Sequence, residues 1–96
     1  MLKKMDDEKK SYEQLRQELA DAAEKINVGD TYGHYKHPEK PYRVKGFCIL
    51  EANDEVAVMY EPLDQPGIVF ARPVNVWLET VEWEGKTAPR FSKLTK

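Results

Sequence analysis

Tyr42-Arg43-Val44-Lys45-Gly46-Phe47-Cys48-Ile49-Leu50-Glu51-Ala52, then Asn53-Asp54, then Glu55-Val56-Ala57-Val58-Met59-Tyr60 form two apolar-rich runs joined by two turn-forming residues. This is the pattern of a β-hairpin. Alternation puts Val56, Val58 and Tyr60 on one face of the second strand. In the first strand the in/out register of Val44 does not continue into Phe47 and Ile49, so Gly46 marks a bulge or sharp bend. Such a bend lets a small sheet curl on itself.

Beyond the hairpin, Pro62-Leu63-Asp64-Gln65-Pro66-Gly67 reads as a turn-rich loop and Ile68-Val69-Phe70-Ala71 as a strand ending at Arg72-Pro73. Pro73 suits the first position of a single helical turn, Val74-Asn75-Val76-Trp77. Leu78 to Trp83 predicts a fifth strand, Glu84-Gly85-Lys86 a turn, and Ala88-Pro89-Arg90-Phe91 an irregular tail. Before the hairpin, Thr31 to Tyr35 predicts a first strand, and His37-Pro38-Glu39-Lys40-Pro41 a loop whose two prolines bar regular pairing. Five short strands with one helical turn before the last predict a mainly β fold, a small SH3-like barrel that manages its edges by closure.

The composition changes at Asn27-Val28-Gly29-Asp30: residues 1–26 contain no Gly or Pro, and all five Gly and six Pro follow. In the first segment Tyr12, Leu15, Leu19, Ala22 and Ile26 recur at helical spacing along one stripe. Ser11 with Gln14 fits a capping box, and Asp6 or Asp7 offers an earlier start. Met1 to Lys10 is charged enough to fray. Asn27 and Gly29 suit the left-handed conformation that closes a helix. The chain thus divides into an N-terminal amphipathic helix, 1–26, and a β domain, 27–96. The stripe is too short for a coiled coil; it docks on the β domain or forms the seam of a homodimer.

With one third of its 96 residues charged and a mean hydropathy of −0.72, the chain has no apolar run that could cross a membrane. Fifteen Lys and Arg against seventeen Asp and Glu lack the basic excess of a dedicated nucleic-acid binder. The single cysteine forms no internal disulfide, and Met1 to Asp7 lacks a signal peptide's apolar core, so the expected compartment is the cytoplasm.

Catalytic and metal chemistry find little support. His34, His37 and Cys48 are three candidate ligands where a structural zinc wants four, and strand positions three apart face opposite sides. Cys48 lies among Phe47, Ile49 and Leu50, where burial makes a thiol inert. No Gly-x-Ser-x-Gly or phosphate-cradling loop occurs, and Glu79, Glu82 and Glu84 read as an exposed acidic face. The expectation is no enzyme, no cofactor and no metal.

Arg72 and Arg90 are the sharpest signals. Alternation puts Arg72 on the face of Ile68 and Phe70, so its charge leaves the apolar layer at the rim. There it takes an ion pair with Glu61, Glu79 or Glu55, or lines an anion or small-molecule pocket with His34 and Tyr60. A second cluster, Lys36, Lys40, Arg43 and Lys45 among Tyr32, Tyr35 and Tyr42, interleaves base and ring as single-stranded nucleic-acid surfaces do. Residues 27–96 nevertheless hold nine Lys and Arg against ten Asp and Glu.

Taken in order, several short motifs resemble the bacterial domain-of-unknown-function family numbered 1653. They are Gly29, Tyr32, His34 and Lys36; Tyr42, Val44 and Gly46; Val58 and Tyr60; Phe70, Arg72 and Pro73; and Gly85, Pro89, Arg90 and Phe91. Phe70 stands where that family usually has Trp, and Trp77 where it has Phe, as expected of paired packing positions. The resemblance implies a compact β domain over residues 29 to 91 and carries no activity, ligand or catalytic residue. The expected function is a non-enzymatic module contacting a protein or peptide through Tyr32, His34, Tyr35, Lys36, Tyr60 and Arg72. Single-stranded nucleic acid bound by the Lys36 to Lys45 segment is the alternative.

Overall fold

The computed structural model describes residues 9–94. Its one long helix, α1 (Tyr12–Lys25), starts where the Ser11 hydroxyl accepts the Gln14 N–H at 3.1 Å, satisfying one of the open donors of the first turn. The alternative start at Asp6 or Asp7, and the fraying of Met1 to Lys10 up to residue 8, lie outside the described residues. Ala22 and Ile26 carry the stripe into the protein, Leu15 and Leu19 are half-buried, and Tyr12 stays 79% exposed. The helix therefore docks on its own β domain through its C-terminal half. Its end differs from expectation. Ile26 leaves the helix in an extended conformation and enters the core, while among the residues expected to close the helix only Gly29 has a positive φ, 93°. The Asn27 N–H then donates to the Tyr32 hydroxyl at 2.9 Å, tying the helix end to the first strand.

Seven strands follow: β1 (Thr31–His34), β2 (His37–Leu50), β3 (Glu55–Pro62), β4 (Phe70–Pro73), β5 (Thr80–Trp83), β6 (Lys86–Pro89) and β7 (Phe91–Lys93), with a helical turn, α2 (Val74–Trp77), after β4. The expected β2–β3 hairpin forms, but over a four-residue turn in place of the expected Asn53-Asp54 connection. Leu50 faces Glu55, and Glu51 to Asp54 make the turn, with Asp54 at φ 58° and its N–H donating to the Leu50 carbonyl. The expected irregularity is found at Gly46, where Val44 opposes Tyr60 but Gly46 opposes Met59, leaving Lys45 as the extra residue. That extra residue lets Val44 and Phe47, three apart, both pack on the core.

Four sequence expectations are corrected. Residues 37–41 are extended and belong to β2, since proline's fixed φ is compatible with a strand. The prolines still escape regular pairing: His34 faces His37 and Tyr32 faces Tyr42, so two steps on β1 span five on β2. Gly33 accommodates this stretch, because a Cβ there would lie 3.1 Å from the Pro38 Cα. Ile68 and Val69 precede β4 and are about half exposed; pairing begins where Phe70 faces Tyr60. The segment expected as the fifth strand contributes β5 to a separate two-stranded ribbon with β6. Glu84 and Gly85, at φ 53° and 79°, form the two-residue turn that favours this local hairpin over a distant partner. The tail expected to be irregular supplies β6 and β7.

The main sheet is antiparallel in the order β4-β3-β2-β1-β7, and its hydrogen bonding is open rather than closed into a barrel. Its two edges nevertheless approach one another. The Arg72 guanidinium carbon on β4 lies 5.3 Å from the ring centre of Phe91 on β7. Inside the curl Ile26, Tyr32, Val44, Val58, Tyr60, Trp77 and Phe91 make one core, with Trp77 and Phe91 stacked at 3.7 Å and 4°.

Candidate functional site

The seam between β4 and β7 gathers most of the residues that the sequence singles out. Phe91 is its base. Trp77 takes up the ring by stacking, His34 meets it edge-on at 5.1 Å, and Tyr60 and Tyr42 close around it at 5.8 and 6.2 Å. Arg72, directly opposite Val58 on β3, is half-buried. Its Nε–H donates to the Tyr60 hydroxyl at 3.2 Å and its guanidinium rests against Phe91. A guanidinium at this range from an aromatic centroid gains electrostatic attraction from the ring. The expected ion pair is not formed: among the described residues no carboxylate lies within 4 Å of Arg72. Glu61 instead pairs with Lys45 at 3.4 Å and accepts the Gly67 N–H, and Glu79 pairs with Arg90 at 2.8 Å.

Arg90 is anchored on both sides. Its Nε–H donates to the Val76 carbonyl at 3.2 Å, its Nη2 to Glu79, and its backbone N–H to the Glu79 carbonyl at 2.9 Å. His34 sits between these cations and the turn at residues 35–36. Its Nδ1 accepts the Lys36 N–H at 3.2 Å, so in the neutral ring the proton resides on Nε2. Burial first, then the charges of Arg72, Arg90, Lys36 and His37, hold its pKa below the usual histidine value. The imidazole is thus neutral at pH 7, although its surroundings are cationic.

The expected contact residues divide into two groups. His34, Tyr35, Lys36 and Arg72 come together at the seam. Tyr35 is half-buried, lies tilted against His34 at 4.5 Å and meets the half-exposed Trp83 edge-on, while the Lys36 Nζ lies 5.8 Å from the Tyr35 ring. Tyr32 and Tyr60 are corrections: both are core residues, 6% and 5% exposed, and neither offers a face to a partner. Trp77 packs edge-on to both of them, so the same alternation that marked these tyrosines buries them. Phe91 and Phe70 were missing from the expected set; the Pro-Arg-Phe motif carried the signal for the first. Phe70, tilted over Tyr60 at 5.8 Å, is 46% exposed and continues into Ile68 and Val69.

The basic segment from Lys36 to Lys45 is split. Arg43 donates to the Gly29 carbonyl and Lys45 bonds Glu61, which leaves Lys36 and Lys40 exposed and free of such ties among the described residues. Cys48 lies opposite Ala57, away from both histidines in the β ladder, and no group of three His, Cys, Asp or Glu gathers among the described residues. No helix among them is long and apolar enough to cross a membrane.

Fold and seam together define a small, mainly β domain whose curled sheet carries a cationic, aromatic edge-to-edge junction. The chain belongs to the family described as "Protein of unknown function (DUF1653)", whose model matches residues 30–93. The crystal structure of a DUF1653 protein from Bordetella bronchiseptica is similar to it, at 29% identity over 73% of this chain and 90% of that one, with a TM-score of 0.60. No curated protein matches the chain. The matched residues include β1 to β7 and exclude α1, as the resemblance implied.

Proposed function

We propose that the protein is a binding module without catalytic activity that takes an extended segment of a protein partner at the β4/β7 seam. His34, Tyr35, Lys36 and Arg72 form the contact together with Phe70. The observation that carries this reading is Arg72: a half-buried cation fixed by a hydroxyl and a ring, with no carboxylate beside it among the described residues and exposed apolar side chains next to it. A partly buried charge ordinarily has a paired anion. Here the partner segment provides it.

The strand order β7-β1-β2-β3-β4, the bulge in β2 and the approach of β4 to β7 support an SH3-like reading of the curl, with the β5–β6 ribbon inserted after the helical turn. Domains of that shape commonly take extended peptides on aromatic surfaces, an analogy at the level of fold. Nucleic acid is less favoured, because Arg43 and Lys45 are engaged within the chain and Tyr32 is buried. The test is selection of a displayed random-peptide library on the full chain, followed by binding of enriched peptides to Tyr35→Ala and Phe70→Ala. Enrichment that both variants lose while retaining the fold supports the reading. Failure to enrich, or equal binding by folded variants, overturns it.

A further inference from the structure

We propose that the group recognised at the seam is a carboxylate, held by the Arg72 guanidinium with an apolar side chain of the same ligand set against Phe70. The inference rests on the binding-module reading and names its ligand chemistry. Arg72 uses Nε on Tyr60, and among the described residues its two terminal nitrogens have no partner. Those nitrogens form the planar fork that matches a carboxylate in two parallel hydrogen bonds. Neighbouring acids are committed elsewhere: Glu61 to Lys45 and Gly67, Glu79 to Arg90, and Glu39 to His37 at 3.5 Å.

Locally, then, Arg72 and Lys36 are uncompensated in a chain whose net charge is −2. The cationic field of Arg72, Arg90 and Lys36 reaches His34, whose pKa is held low by burial first and then by those charges. An arriving anion relieves this repulsion. The apolar half of the ligand follows from Phe70, whose ring is tilted over Tyr60 on the same strand face as Arg72 and remains 46% exposed. A carboxylate alone would leave that surface wet.

The carboxylate can come from a chain terminus or from an acidic side chain, and simple probes separate the two. N-acetyl-leucine presents the terminal form, N-acetyl-aspartyl-leucine amide the side-chain form, and N-acetyl-leucine amide is the neutral control. Each is titrated into the full-length ¹⁵N-labelled protein at constant ionic strength, reading backbone amides and the Arg72 Nε–H by NMR. The expected result is saturable shifts at Arg72, His34 and Phe70 with one or both acids, at least about tenfold weaker for the neutral amide, each factor of ten being about 1.4 kcal/mol. Arg72→Gln abolishes the saturable shifts. Lys36→Gln, an exposed position that leaves the fold intact, weakens binding two- to fivefold.

The stronger of the two acids identifies the source. Equal response to the neutral amide, shifts that map away from β4 and β7, or inorganic phosphate binding more tightly than either acid overturns the proposal. If the acids fail while library peptides still depend on Tyr35 and Phe70, the carboxylate is wrong and the binding module stands.

Discussion

Arg72 and Arg90 stand at the same aromatic stack and are used differently. Arg90 immediately precedes Phe91 and holds residues 76–79 through a carbonyl, a carboxylate and its own backbone N–H. It fastens the helical turn to the last strand, and its charge is answered inside the chain. Arg72 lies against the Phe91 ring from the opposite edge of the sheet with a single hydrogen bond, and its charge is answered by nothing among the described residues. Of the two arginines, the fully engaged one maintains the architecture and the other is the one we propose meets a ligand.

The comparison is broken most severely by removing the aromatic stack of Trp77 and Phe91. Trp77→Ala deletes a side chain only 2% exposed and stacked on Phe91, and should cost about 3–5 kcal/mol. In thermal unfolding, with about 4–8 °C per kcal/mol for a domain of this size, that is a fall in Tm of more than 10 °C. Ile26→Ala, at the point where α1 enters the same core, should cost about 2–5 kcal/mol, and a loss below 1 kcal/mol would show the helix to be dispensable.

Replacing the arginines separately sharpens the contrast. Arg90→Ala removes two side-chain hydrogen bonds from a charged donor, one to the Val76 carbonyl, which keeps the Glu79 N–H, and one to the Glu79 carboxylate, and should lose about 1–3 kcal/mol. Arg72→Ala should lose less than about 1 kcal/mol, the scale of one ordinary hydrogen bond. Chemical denaturation that ranks them the other way round removes the distinction drawn here. Glu79→Gln gives the smallest effect, below about 1 kcal/mol, because the Glu79 side chain is half exposed.

Acid provides an independent measure of the cationic side. His34 has a folded-state pKa below its unfolded value, so the unfolded chain binds the proton more readily. Its contribution to stability is complete above the unfolded value of about 6.5 and is lost as pH falls through that value toward the folded one. Glu18 and Glu61 are lowered as well, the first mainly by its hydrogen bond to Lys10 and the second by the Gly67 N–H. Their contributions are lost later, as pH falls below the ordinary carboxylate range. Denaturant midpoints measured from pH 7.5 to 3 should therefore decline in two stages, and His34→Phe should remove the first.

Much of the fold was legible because it is encoded locally. The β2–β3 hairpin, the extra residue beside Gly46 and the helical turn at 74–77 each depend on a few adjacent residues. What escaped depends on partners distant in sequence. Nothing around Phe91 announces that Tyr32 will pair with Lys93, and nothing around Val81 says that Ala88 is a nearer partner than β1. The site was legible to the same degree. Alternation placed Arg72 at the rim beside Phe70, and the motif order brought in His34 and Lys36. It could not separate Tyr35 from Tyr32 and Tyr60, because which tyrosine is buried depends on where Trp77 lands. The absent ion pair was likewise invisible, since Glu61 and Glu79 were taken by Lys45 and Arg90 only through the fold.

The pairing of β1 with β7 also has a consequence for the order in which the chain assembles. The β2–β3 hairpin closes over a four-residue turn, a fast event, whereas Tyr32 must wait for Lys93 some sixty positions away, with a larger loop-closure entropy. Phe91 arrives with that last strand. Arg72 has no ring to rest on until then, so a partly folded chain lacks the seam altogether, and the proposed contact surface appears only with the final step of folding.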